Sequence, residues 1–157
     1  MHSRIFQLSE NHIPNEDYIS NAEFIDHWFL YSVADYTNDA TDRSEDIEWL
    51  KSIYDGKGLN FGVDEGGEYV IVADKVIYFQ NSFYAFQNML KVLQGATLEE
   101  FISSKTSMGV YQLNEAYDDK YGFYVNVDGY MQTLDHFVRE SSNGKKYYIG
   151  ATIDYHY

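Results

Sequence analysis

The chain has no cysteine, a single proline (Pro14), and only 11 Lys and Arg against 25 Asp and Glu in its 157 residues. Without thiols, disulfides, thiolate nucleophiles and Cys-bound zinc are excluded. The shortage of bases leaves a net charge of −14 and a pI near 4.5. Such a chain argues against direct nucleic-acid binding, because affinity for phosphate backbones comes from Lys and Arg displacing counterions. Anionic membranes repel it for the same reason. No apolar run approaches the ~20 residues that span a bilayer. The N-terminus also lacks the basic-then-apolar pattern of a signal peptide, so the expectation is a soluble, cytoplasmic protein. Also missing are a G-x-S-x-G elbow, a G-x-x-x-x-G-K loop and a G-x-G-x-x-G turn, so the glycines are read as turns.

What is present is aromatic. Phe, Tyr and Trp make up 18% of the residues, 16 of them Tyr, and rings bring the largest apolar area per side chain to a core. At this length one globular domain over residues 1–157 is expected. The charge is uneven. Residues 1–55 hold twelve acids and three bases (Arg4, Arg43, Lys51), a net of −9, whereas residues 56–157 hold thirteen acids and eight bases, a net of −5. The excess concentrates between Asp35 and Asp55, where Asp35, Asp39, Asp42, Glu45, Asp46, Glu48 and Asp55 face two bases, Arg43 and Lys51.

Periodicity predicts an α+β fold, a mainly antiparallel sheet with an acidic helical pair near the N-terminus and further helices packed on it. SRIFQLS (3–9) alternates as a strand, with His2 before it in a frayed end. Asn21 caps a predicted helix to about Tyr36, on which Phe24, Ile25, Trp28, Phe29, Ser32 and Tyr36 share a face. A second helix, capped by Asp42 or Ser44, runs to about Asp55. Its inward stripe is Ile47, Leu50 and Tyr54, and its outward stripe is Glu45, Glu48, Ser52 and Asp55, spread over ~15 Å. LNFGVD, EYVIVAD and KVIYF read as two or three strands. A helix capped by Asn81 or Ser82 follows, and then a capping box at Thr97 and Glu100. Residues 108–121 read as helix or strand, 123–127 as a strand, and Asp128-Gly129 as a turn. Residues 133–138 echo the short helix at 97–102. Asn143-Gly144 leads into a long C-terminal strand able to pair two copies if it lies at a sheet edge.

Three chemical constellations compete with bland alternatives. The twelve residues from Asp35 to Asp46 match a calcium loop only at Asp35 and Asp39, because Thr37, Ala40 and Asp46 stand where Asp or Asn, Gly and Glu are wanted. No metal is therefore expected there. Asp154 and His156 share a strand face, with His136 as the remaining candidate for an acid/base or metal site, although structural histidine is the stronger reading. Tyr31, Tyr36 and Tyr54 are placed to anchor an interface. Close carboxylate pairs are guaranteed by a composition this acidic and do not imply glycosidase chemistry. No catalytic residue and no cofactor is expected.

Through SRIFQLS, ADY…SEDIEWL and YIGATIDYHY the sequence resembles short acidic proteins, of no assigned mechanism, carried by phages and mobile elements of Gram-positive gut bacteria. Such elements also carry antirestriction and anti-CRISPR proteins. The resemblance implies a context of genetic conflict and no functional residues. In that context the expected activity is a non-enzymatic inhibitor, a DNA mimic whose carboxylates occupy the basic channel of a CRISPR or restriction nuclease. The alternative is an immunity protein or general protein-binding module without mimicry. Either way the expected partner is a basic protein.

Overall fold

The computed structural model describes residues 1–39 and 41–157; Ala40, the sixth place of the calcium loop, lies outside them. In chain order the elements are β1 (His2–Ser9), two 3-10 turns (Asn15–Asp17 and Asn21–Phe24), α1 (Trp28–Ser32), β2 (Tyr36–Asn38) and α2 (Arg43–Tyr54). The hairpin β3 (Leu59–Asp64) and β4 (Gly67–Val72) leads into the helices α3 (Lys75–Gln94), α4 (Leu98–Ile102) and α5 (Lys105–Tyr117). Last come β5 (Tyr124–Val127), β6 (Tyr130–Thr133), α6 (Leu134–Glu140) and β7 (Lys145–His156). The fold is α+β. One sheet runs in the order β3-β4-β7-β1-β5-β6, with β2 also on β7, and every pairing is antiparallel except β1 with β5.

β7 is the centre of the sheet, not its margin. It pairs with β1 along one side and with β4 and β2 along the other, so the expected pairing of two copies through this strand has no free edge to use. A bulge divides it. Leu8 pairs with Ile149 but Phe6 pairs with Thr152, so Gly150 and Ala151 together face Gln7. The extra residue reverses which face the following side chains take. Tyr147 and Ile149 join Phe6, Leu8, Ile47 and Leu50 in one core, whereas Ile153 and Tyr155 join Ile5, Phe24 and Phe29 in the other. Thr152 and Asp154 are thereby delivered to the α2 side. Gly150 is needed there, since a Cβ would stand 2.5 Å from Gln7 Oε1. That oxygen accepts from the backbone N–H of Ile19 and Ala151, each at 3.1 Å.

Several expected elements differ. The helix over 21–36 is broken because Asp26 adopts a left-handed backbone with φ 62°, a conformation a short polar side chain tolerates and a helix does not. What remains is a 3-10 turn and α1, which bury Phe24 and Phe29 but leave Ile25, Trp28 and Tyr36 exposed. KVIYF is not a strand. Asp74 accepts from the N–H of Val76 and Ile77 at 2.8 and 3.2 Å and starts α3 six residues before the expected cap, overriding the β preference of Val and Ile. Of the two options for 108–121, helix holds as far as Tyr117. Asp128 and Gly129, at φ 50° and 90°, make the tight turn between β5 and β6, the geometry of a two-residue hairpin. His2 is not frayed; it pairs with His156 in the sheet.

Candidate functional site

α2 lies over one face of the sheet by an apolar and a polar attachment. Ile47 and Leu50 enter the core, with Tyr54 packed at its edge. Beside them Asp46 is only 4% exposed. Its Oδ1 accepts from Arg4 Nε at 2.5 Å and its Oδ2 from Thr152 Oγ1 at 2.8 Å. Arg4 also pairs with Asp154, whose other oxygen lies 2.9 Å from His2 Nδ1, and its guanidinium sits over Trp49 at 5.5 Å. Asp46 is therefore not available to a partner, contrary to the sequence expectation. Its burial is tolerable because both oxygens are satisfied and its charge is paired.

Arg43 is likewise structural. It lies one turn before Ile47 on the inward side and donates to the carbonyls of Gly150 and Ile149 at 2.6 and 2.7 Å, and to Glu68 at 3.0 Å. Those carbonyls belong to the stretch of β7 between its β4 and β2 pairings, and buried backbone acceptors require partners. Thr41 Oγ1 performs the same service for the Thr152 carbonyl at 3.2 Å.

The remaining six predicted acids are exposed. Asp42 caps α2, accepting from the N–H of Ser44 and Glu45 at 3.0 and 3.2 Å. Glu45 and Glu48 face outward, Glu48 with Lys51 Nζ at 2.6 Å. Asp55, at the C-cap, accepts from Phe61 N–H at 3.2 Å. On the approach to the helix Asp39 accepts from Asn21 N–H at 2.5 Å, and Asp35 lies 3.0 Å from His156 Nδ1. Glu45 and Glu48 of the expected stripe are thus exposed above the Arg4–Asp46–Thr152 contacts, whereas Asp55 lies past the last helical residue in extended backbone. Of the tyrosines read as anchors, Tyr31 is open to solvent, Tyr36 stacks on His156 at 5.1 Å, and Tyr54 stacks on Tyr78 at 5.3 Å.

The histidine constellation does not assemble. Asp154 and His156 lie near His2, whose ring is 5.0 Å from that of His156, but His136 is on the exposed side of α6, which follows the edge strand β6. Among the described residues no three His, Cys, Asp or Glu side chains are grouped to hold a metal ion. The twelve residues of the calcium loop contain β2 and so do not form a helix-flanked loop.

One acidic constellation escaped sequence reasoning. A cavity of about 180 Å³ is lined by Tyr54, Tyr78, Glu115, Asp119 and Asp135 among others. Tyr78 Oη donates to Asp135 Oδ1 at 2.9 Å, and the Asp119 N–H reaches Asp135 Oδ2 at 3.3 Å. Burial pushes the Asp135 carboxyl above the usual range, as burial and then the Asp119 charge do for Glu115. Burial and then Asp135 push Tyr54 up to about 12. These groups come from α2, α3, α5 with the loop after it, and α6, and no local spacing announces the set. Asp46 and Arg43 did carry a signal. Arg43 precedes Ile47 by four residues and Asp46 precedes Leu50 by four, which places both on the inward half of the helix.

No protein-family model matches this chain, and no curated protein or solved structure matches it significantly.

Proposed function

We propose that this protein is a non-enzymatic acidic inhibitor that docks the outer face of α2 onto a basic surface of a nucleic-acid-handling protein, such as the channel of a CRISPR or restriction nuclease. One observation carries this reading. Glu45 and Glu48 are exposed on a helix whose opposite side is locked to the sheet by Ile47, Leu50 and the Asp46–Arg4 pair, and the exposed Asp55 follows as its C-cap. A charge array held in advance of binding has less ordering entropy to lose. Its field speeds encounter with a basic partner.

The mimicry is one of charge more than of shape. Three carboxylates over ~15 Å of helix axis are sparser than duplex DNA, which presents one charge per ~1.7 Å. With Asp46 buried, a second row can come only from Asp35, Asp39 and Asp42. The test reverses Glu45, Glu48 and Asp55 together to Lys and measures binding and inhibition of candidate nucleases at physiological salt, with Glu16→Lys/Glu140→Lys, both exposed, as a charge control elsewhere. The expected result is roughly tenfold or greater loss of affinity for the triple variant alone. Unchanged inhibition by the triple variant removes α2 as the contact surface.

A further inference from the structure

The other long helix has the opposite character. α3, ~30 Å long at 1.5 Å per residue, buries only Tyr78, and α5 buries only Gly109. The two run antiparallel. A Cβ on Gly109 would stand 2.9 Å from Leu93, and at the other end the Phe86 and Tyr117 rings lie 6.2 Å apart. With α4 at the tip they form an arm attached to the sheet through its root.

Two apolar features remain open on this arm. At the root is a groove of about 320 Å³ lined by Phe79, Phe83, Phe86, Ala116 and Tyr117. Arg139 closes one end, its guanidinium 4.6 Å from the Phe79 ring and 4.2 Å from Tyr117. At the tip, Leu98, Phe101 and Ile102 of α4 are 74%, 71% and 78% exposed. They do not belong to a fraying segment, because both halves of the Thr97–Glu100 capping box are formed. Groove and tip lie ~20 Å apart along α3.

Charge decides what can cover them. Residues 75–117 contain three Lys and three Glu and no Arg or Asp, a net of zero, so the whole −14 lies elsewhere. A basic partner is drawn to the rest of the molecule and gains nothing at the arm. A second copy of this chain, repelled by the −14 carried by the remainder, meets no net charge along the arm. It also brings both halves of the contact, a projecting tip and a groove. If two arms lie antiparallel about a twofold axis, each tip meets the other's root, the self-complementary arrangement of an isologous dimer. Two helices side by side offer a footprint of roughly 30 by 20 Å, about 600 Å² per partner, near the ~800 Å² of a standard interface. We propose that two copies associate through their arms, with Leu98, Phe101 and Ile102 of each seated at the Phe83 groove of the other.

Sedimentation velocity on the full chain, across a micromolar-to-millimolar dilution series at low and high salt, tests this. The expected result is a monomer–dimer equilibrium that tightens as salt rises, because screening relieves repulsion between like-charged bodies while the apolar contact is spared. Ile102→Glu and Phe83→Glu should each raise the dimer Kd by roughly tenfold or more. Ile102 is mostly solvated, so its variant keeps the fold, as unchanged circular dichroism would verify. A monomer at every concentration overturns the proposal. So does a dimer indifferent to both substitutions, or one that dissociates as salt rises.

Discussion

α2 and α3 are both helices started by an aspartate cap, and they spend their residues in opposite ways. α2 has twelve residues, buries Asp46, Ile47 and Leu50, and turns its acids to solvent. α3 has twenty, buries Tyr78, and leaves Val76, Ile77, Phe83, Tyr84 and Val92 exposed. A helix is stabilised mainly by what its apolar side packs against. α2 meets that need within the chain, and its outer face is free to carry charge. Beyond Tyr78 and Phe79 at its root, the arm meets it between its own helices, so its outer rings are left for another surface. Polar burial separates the two as well. Under α2 a charged pair is sealed against the sheet, whereas the arm has no sealed ion pair among the described residues.

The largest expected effect breaks the α2 side of this contrast. Arg4→Met leaves Asp46 at 4% exposure with Thr152 as its remaining donor. Removing one member of a buried pair costs about 3–5 kcal/mol, because the other charge is left uncompensated. Urea unfolding should show a loss of unfolding free energy of that size, whereas Glu45→Ala, on the outer face of the same helix, should stay within ~0.5 kcal/mol. Equal effects from the two would mean that the anchor is no more than a surface contact.

A smaller effect is expected at the bulge that delivers Thr152 and Asp154 to that anchor. In Gly150→Ala the new methyl would press on Gln7 Oε1 at 2.5 Å and on Ile13 at 2.9 Å. The Gln7 tip can move, but only by giving up the Ile19 and Ala151 N–H groups it accepts from, a loss of about 1–3 kcal/mol. Denaturant titration measures it. Full stability in Gly150→Ala would show that the Gln7 lock is dispensable.

Legibility in the sequence follows how local the cause is. The alternation in β1, the stripes of α2, the Asp42 cap and the Thr97–Glu100 box depend on spacing within one turn or strand, and all are visible in the residues. The α+β class follows from them. The bulge is not visible there, because Gly150 matters through Gln7 and Ile13, both more than a hundred residues away. The same holds for Asp46, which reads as one more helix-dipole acid until Arg4 and Thr152 are brought to it. KVIYF shows the reverse: its β-branched and aromatic residues favour a strand, and a single Asp74 cap outweighs them. Of the seven acids assigned to the partner face, Glu45 and Glu48 lie where helical spacing places them, Asp55 falls just past the helix end, and Asp46 is held inward by a long-range contact.

The junction of the two regions supplies the smallest expected effect. Asp135 lies there, bonded to Tyr78 of α3 and close to Tyr54 of α2, with its carboxyl raised chiefly by burial. A carboxyl raised in the folded state holds its proton more tightly there than in the unfolded chain. Between the ordinary Asp value of about 4 and the raised folded value, the native state therefore binds more protons, and stability falls as pH rises. Asp135→Asn keeps an oxygen for Tyr78 but removes the titration. Unfolding free energies over a pH series should show the variant gaining on the wild type from about pH 4 upward and then levelling off. A difference that stays constant across the series would place Asp135 in solvent and open the junction between arm and sheet to water. An arm whose junction is held by the bond from the buried Tyr78 to Asp135 keeps its root groove at a set orientation to the sheet, which a twofold arm-to-arm contact requires.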